Sequence, residues 1–433
     1  MPLLPRLMAF GMATLLLSAP VAAAPLALTL PEALSLAARH NPQLKATRQT
    51  VAQTEAGVRQ TRAAYWPTLG LNSTLNQEAL TSVGAGMNLT LALDSHGGLG
   101  ASRRISELQR DMARWNYESA AQQLRLDLTN SYFDLQDAEQ QIRIAKISLD
   151  QASTLLADAQ AMQRGGEGTV FEIQRAEMRL YEAQQSEAEA KGRYLIAQRA
   201  LLRQIGQPSL EGVVPRDTVL RTGEWPLSLE ASISRALDRR PEIRQAKARL
   251  DLAENKRRLS LSAYGLQTQL FANASSNGLM TTGQSTISLV TDGPGLGPTY
   301  GVGGRISLNL FDGGAGRAQA DQASNEADAM REELLSAQQA IQYEVEQAYV
   351  LFQIGEASTR FSESALSKAQ EALSAARQRL VAGIGTQTDL ILAQNDLVQA
   401  EVRRNKAIID FNRALAALQR ACFDLPMPES EKQ

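Results

Sequence analysis

Residues 379–397 read RLVAGIGTQTDLILAQNDL, a helix-forming run broken by two glycines and two threonines and resumed at once. Residues 163–180, QRGGEGTVFEIQRAEMRL, carry the same punctuation 217 positions earlier. Glycine accepts the left-handed conformation that ends a helix, and a threonine hydroxyl caps the start of the next. Gly165, Gly166, Gly168 and Thr169, with Gly383, Gly385 and Thr386, therefore predict the tips of two helical hairpins.

Outward from the tips the two halves of the chain align. TLPEALSLAARHNPQL (29–44) matches SLEASISRALDRRPEI (228–243) at an offset of 199, which also places Tyr65 on Tyr264. Asp94 then meets Asp312 at 218, and Tyr132 meets Tyr349 at 217. The change of about 18 residues locates an insertion between Phe271 and Val302, whose Gly, Ser, Thr, Asn and Pro content reads as loop. Each half thus runs helix, strand, loop, strand, long helix, tip, return helix.

The long arms, 99–164 and 317–382, have 66 residues each, or roughly 100 Å of helix. Leu366, Ala369, Leu373, Ala376 and Leu380 step by three and four, as do Ile173, Ala176, Leu180 and Ala183. That is the seam of a coiled coil with small residues that let helices approach. The return arms are about half as long, and helices at 31–64 and 229–263 are expected to stack on them end to end.

The resulting plan is a signal peptide at 1–23, a first repeat at 24–204 and a proline-bearing mid-height segment at 205–228. A second repeat at 229–421 and a tail at 422–433 complete it. The β-hairpins are placed at about 68–94 and 266–311, and the tips at about 164–169 and 381–386. The signal reading rests on one Arg, an apolar run from Leu7 to Leu17 and small residues at Val21 and Ala23.

Four short stretches alternate with period two. Met87, Leu89, Leu91 and Leu93 oppose Asn88, Thr90 and Ala92; Val302, Ile306 and Leu308 oppose Gly303, Arg305 and Ser307. TLGLNSTL (68–75) does the same and GLQTQLFAN (265–273) less cleanly. These lengths approach the roughly nine to eleven residues of a tilted transmembrane strand, and Tyr65, Trp66, Tyr264, Tyr300 and Phe311 bracket them as interfacial aromatics would. Four strands cannot close a barrel, and open edges are not tolerated in lipid. Three copies would supply twelve strands around a pore.

With 44 Lys and Arg against 46 Asp and Glu the chain is near neutral, net −2, or −3 once the signal's single Arg is removed. No basic surface invites nucleic acid. The single cysteine, Cys422, excludes an intrachain disulfide and reads as a buried small residue. His40 and His96, the two histidines, belong to no metal-ligand spacing, and no nucleophile elbow or phosphate loop is present. Catalytic residues, metal and cofactor are expected to be absent.

LFDGG (310–314), ahead of GRAQADQASNEAD (316–328), resembles the strand-to-helix junction of the TolC-like outer membrane factor family. AGIGTQTDLILAQNDLVQAE (382–401), NPQL (41–44) and AAYWPTLGL (63–71) resemble other motifs of that family. The resemblance implies a mainly α fold with a membrane β-barrel: a homotrimer whose 12-strand barrel continues into a 12-helix periplasmic α-barrel. It implies an outer membrane exit duct for efflux or type I secretion, working with a periplasmic adaptor and an inner-membrane pump or ABC exporter, and with no enzymatic activity. It assigns Asp94, Phe311, Asp312, Gly313 and Gly314 to the junctions and the tip residues to adaptor contact. It makes Asp389, with Glu172 as its counterpart, a candidate pore constriction; the alternative for both is a first-turn acid favoured by the helix dipole. A second Asp found in some relatives is here Leu392, and an Arg that bolts the entrance in others is here Gly385. The rival reading is a periplasmic coiled-coil adaptor or scaffold.

Overall fold

A computed structural model of the protein describes residues 26–77, 81–94, 96–166, 168–282, 287–291 and 297–424. The expected signal peptide and most of the expected tail lie outside these residues. The first half contains β1 (Leu26–Leu28), α1 (Leu30–His40), α2 (Pro42–Ala63), β2 (Thr68–Gln77), β3 (Thr81–Leu93), α3 (Gly98–Arg164) and α4 (Val170–Ile205). The second contains β4 (Val213–Pro215), α5 (Leu229–Arg239), α6 (Pro241–Ser262), β5 (Gln267–Thr282), β6 (Ile287–Val290), β7 (Gly297–Ser307), α7 (Ala315–Val381) and α8 (Gln387–Ala421).

The two long arms are 67-residue helices, as their uninterrupted seams require. The helices expected at 31–64 and 229–263 are each broken in two. Pro42 and Pro241 lack the N–H a continuous helix needs and push the preceding residue out of the helical region: Asn41 has φ −59, ψ 122 and Arg240 has φ −64, ψ 128. The second pieces, α2 and α6, do stack end to end on the return arms. The Asn41 amide donates to the Gln204 carbonyl at 2.8 Å, seating the start of α2 on the end of α4. At the equivalent joint Arg420 of α8 bonds Glu242 of α6.

The tracks lie side by side in the order α2 with α4, then α3, then α6 with α8, then α7. Their apolar cores gather at mid-height. One joins Leu128, Tyr132 and Leu135 of α3 to Leu201, Leu202 and Ile205 of α4, with Val213 of β4, which pairs in parallel with β1. The other joins Val345 and Phe352 of α7 to Phe411, Leu415 and Leu418 of α8. Cys422 is buried in this second core, where desolvation pushes its thiol up to about 11, so the small-core reading of this residue holds. Toward the tips the contacts become an Ala seam, with Ala145, Ala152, Ala176 and Ala183 buried.

The expected hairpins form one antiparallel sheet in the order β2, β3, β5, β7, with β6 continuing the β7 edge along the far end of β5. The insertion is therefore not all loop. Its first part extends β5 to Thr282, where it pairs with β3 and β6, because β3 begins as early as Thr81 and offers ladder partners to Met280. No described helix is long and apolar enough to cross a membrane.

Candidate functional site

Three places converge on one design: the sheet, the junctions below it and the hairpin tips. In the sheet, cross-strand pairing assembles rows from all four strands. Leu69, Leu89, Ala272 and Val302 make one row, and Leu71, Met87, Ala274 and Tyr300 the next. These side chains are largely exposed; Leu71, Tyr300 and Val302 are more than 80 % so. The opposite face alternates polar and small: Gly70, Asn88, Asn273 and Gly301 form a row, followed by Asn72, Gly86, Ser275 and Thr299. Glycine is used there for space, since a Cβ at Gly70 would lie 2.7 Å from the Asn88 side-chain oxygen and one at Gly301 2.7 Å from that of Asn273. The result is a sheet apolar outside and amide-lined inside, with β2 and β7 as unpaired edges in this single chain.

At the junctions each strand pair hands over to a long helix through an aspartate. Asp312 accepts from the Gly314 and Gly316 amides at 3.0 and 2.8 Å and from the Tyr264 hydroxyl. The Tyr264 bond, then the Gly316 amide, hold its carboxyl below the usual aspartate range. Gly313 and Gly314 are left-handed, φ 72 and 89, and a Cβ at Gly316 would run into the Tyr264 ring. Asp94 plays the same part, accepting from Leu99 and Gly100 amides at 3.2 and 2.9 Å. The first junction is one residue longer, which accounts for the offset falling from 218 to 217. Phe311 is exposed beside Leu310, as are Tyr65 and Trp66 just ahead of β2. Tyr264 departs from the girdle expectation: its hydroxyl is spent on Asp312.

At the tips, Gly166 and Gly383 have φ 82 and 70 and make the left-handed turn. Gly168 and Gly385 serve differently. A Cβ at Gly168 would stand 2.8 Å from the Gln163 nitrogen, and one at Gly385 3.0 Å from the Arg379 Cβ. Gly165 has ordinary helical φ, −77, like its counterpart Ala382 at −73.

Thr169 and Thr386 cap α4 and α8, each within a full capping box. Glu172 accepts from the Thr169 amide at 2.7 Å, and Asp389 from the Thr386 amide at 3.1 Å. Both acids are thus exposed and tied to their own helix starts. The Thr386 side-chain and backbone bonds hold the Asp389 carboxyl below the usual range. Sequence reasoning passed over the apolar residues here. Val170, Phe171, Val381 and Ile384 are 59, 69, 89 and 71 % exposed, and the signal for them was an apolar residue wherever turn chemistry expects a polar one.

The family described as outer membrane efflux protein matches residues 33–207 and 232–422. Among curated proteins, the pyoverdine export outer membrane protein OpmQ of Pseudomonas aeruginosa is 28% identical over 279 residues, 61% of this chain and 53% of that protein. Its namesake in Pseudomonas putida is 25% identical over 268 residues, 62% of this chain and 54% of that protein. The chain spans about half the length of these curated relatives. The Campylobacter jejuni CmeC outer membrane channel superposes with a TM-score of 0.75 at 17% identity, covering 91% of this chain and 85% of that one. The open-state Neisseria gonorrhoeae MtrE outer membrane channel gives 0.71 at 21% identity, covering 91% and 88%. Over 91% of this chain the fold is the one seen in these solved structures.

Proposed function

This chain belongs to the outer membrane efflux protein family, and from that premise we propose that it forms a homotrimeric exit duct that passively conducts exported solutes across the outer membrane. One observation carries the reading: a sheet four strands wide, with β6 prolonging the β7 edge, apolar on one face and amide-lined on the other, with two open edges, set on four helical tracks. Pairing β2 of one protomer with β7 of the next removes every edge at twelve strands, and the tracks then form a twelve-helix periplasmic wall. A soluble scaffold would have no use for the exposed Leu, Tyr and Val rows, which disfavours the rival reading.

The hairpin tips are the proposed entrance. The apolar residues Val170, Phe171, Val381 and Ile384 around the glycine turns suit docking of a periplasmic adaptor, which would join the duct to an inner-membrane pump or ABC exporter. We assign Asp389, and secondarily Glu172, to the narrowest point, where a ring of three carboxylates would favour cations. Each acid engages one oxygen in its capping box, so the charge is positioned at a fixed height. The energy for transport comes from the pump, and opening is a spreading of the hairpins by the adaptor.

Single-channel recording of purified trimers in planar bilayers tests this. A small cation-preferring conductance that grows and loses its preference in Asp389→Ala is expected. Folded trimers that never conduct, even with both tip acids replaced, would refute the duct.

A further inference from the structure

The amide-lined face of the sheet carries one charge. Arg305 in β7 is the single Lys, Arg, Asp or Glu in β2, β3, β5, β6 or β7. It stands opposite Gln269, which itself pairs with Ala92, on the face away from Val302 and Ile306. Its guanidinium carbon lies 5.9 Å from the centroid of the Phe271 ring. That ring lies across Gly303, where a Cβ would come within 2.8 Å of it. Glycine at 303 therefore makes room for an aromatic on the polar face, and the aromatic gives the cation a platform. None of the strand residues around it, Ala92, Gln269, Phe271, Gly303 and Ser307, supplies a carboxylate.

We propose, resting on the trimeric duct, that Arg305 is a specificity-determining residue: three guanidinium groups ring the periplasmic end of the barrel lumen and make it an anion-preferring step. The ladder between β5 and β7 starts at Gln267 opposite Ser307, so the ring lies two positions inside the strand ends. A twelve-strand barrel has a backbone radius of about 12 Å, which leaves inward guanidinium groups roughly 6 Å from the axis, inside the Debye length of about 8 Å. Their field therefore spans the whole passage. Solutes bearing carboxylate, phosphate or sulfonate groups are concentrated there, and the sign is opposite to that of the carboxylates at the tips.

The test is the reversal potential under a potassium chloride gradient, for trimers of verified mass, in a background with Asp389→Ala and Glu172→Ala so that the barrel sets selectivity. That background should prefer chloride. Arg305→Gln should shift the chloride-to-potassium permeability ratio toward potassium by at least about threefold, Arg305→Lys should preserve it, and Arg305→Glu should invert it. An unchanged ratio in Arg305→Gln channels that conduct would overturn the ring while leaving the duct intact. Absence of conductance in every variant would overturn both.

Discussion

Arg240 is the place where a single side chain holds two helical tracks together. It is 3 % exposed, donates to Glu344 of α7 at 2.6 Å and to Glu242 of α6 at 3.2 Å, and Arg420 of α8 bonds the same two carboxylates. The first repeat solves the same joint without charge: Asn41 accepts from the Leu44 amide at 3.0 Å and donates to Gln204, and Gln43 stands where Glu242 does. Arg240→Asn alone leaves the half-buried Glu242 with only the longer bond from Arg420, at 3.4 Å, and the Ser119 hydroxyl. Removing one partner of a fully buried pair costs about 3–5 kcal/mol, but Glu242 and Glu344 side chains are 30 and 42 % exposed and Arg420 remains, so about 2 kcal/mol is expected. Adding Glu242→Gln copies the first repeat and should recover more than half of that loss, since Ser119 keeps its acceptor at 2.9 Å and Glu344 keeps Arg420. Denaturant unfolding of detergent-solubilised trimers, followed by helical circular dichroism, measures both. If Arg240→Asn falls within about 0.5 kcal/mol of wild type, or the double variant is no more stable than the single, the hub reasoning is wrong.

The same network sets an acid dependence. Burial raises the Glu242 carboxyl, but the bonds and charge of Arg240 overturn it and leave the group below its ordinary value, so its contribution is present above the ordinary glutamate range and lost as pH falls through the depressed folded value. Unfolding midpoints across acid pH should therefore fall less steeply in the Arg240→Asn, Glu242→Gln variant than in wild type. At the other joint, Gly206 has φ 81 and a Cβ there would meet the His40 carbonyl oxygen at 2.6 Å, so Gly206→Ala should destabilise by about 2–4 kcal/mol. Gly57→Ala, with nothing within 4 Å, should be neutral or stabilising in the same unfolding assay. Across the sheet, Leu71→Arg should cost about 2–4 kcal/mol and impair outer membrane insertion, whereas Asn72→Arg on the other face should insert normally. Heat-modifiable trimer in membrane fractions reads out both.

The repeat, the long arms and the tips were legible because each leaves a local signature: a heptad seam, a glycine cluster before Thr, a conserved spacing between halves of one chain. The strands were legible by alternation, and their true length was not. Residues 272–282, ANASSNGLMTT, read as loop by composition, yet pairing with β3 makes them strand, because a lumen-facing row accepts Asn, Ser and Gly where a buried strand would not. Tyr264 looked like an interfacial aromatic since its neighbours were strands; only the fold brings Asp312, 48 positions on, under its hydroxyl.

The same limit explains the tip acids and Arg305. A first-turn acid after a threonine fits a capping box, a pore ring or both, and the bonds of Asp389 and Glu172 establish the first without spending the second, since position along the axis is what a ring requires. Arg305, by contrast, has no local role to perform. It caps nothing, sits in a ladder that any residue with a backbone would complete, and is held by a phenylalanine that itself needs Gly303 to be bare. Three positions arranged to keep one cation on the amide-lined face, with no carboxylate among the described strand residues around it, make sense as a device for the solute in the passage and not for the stability of the wall.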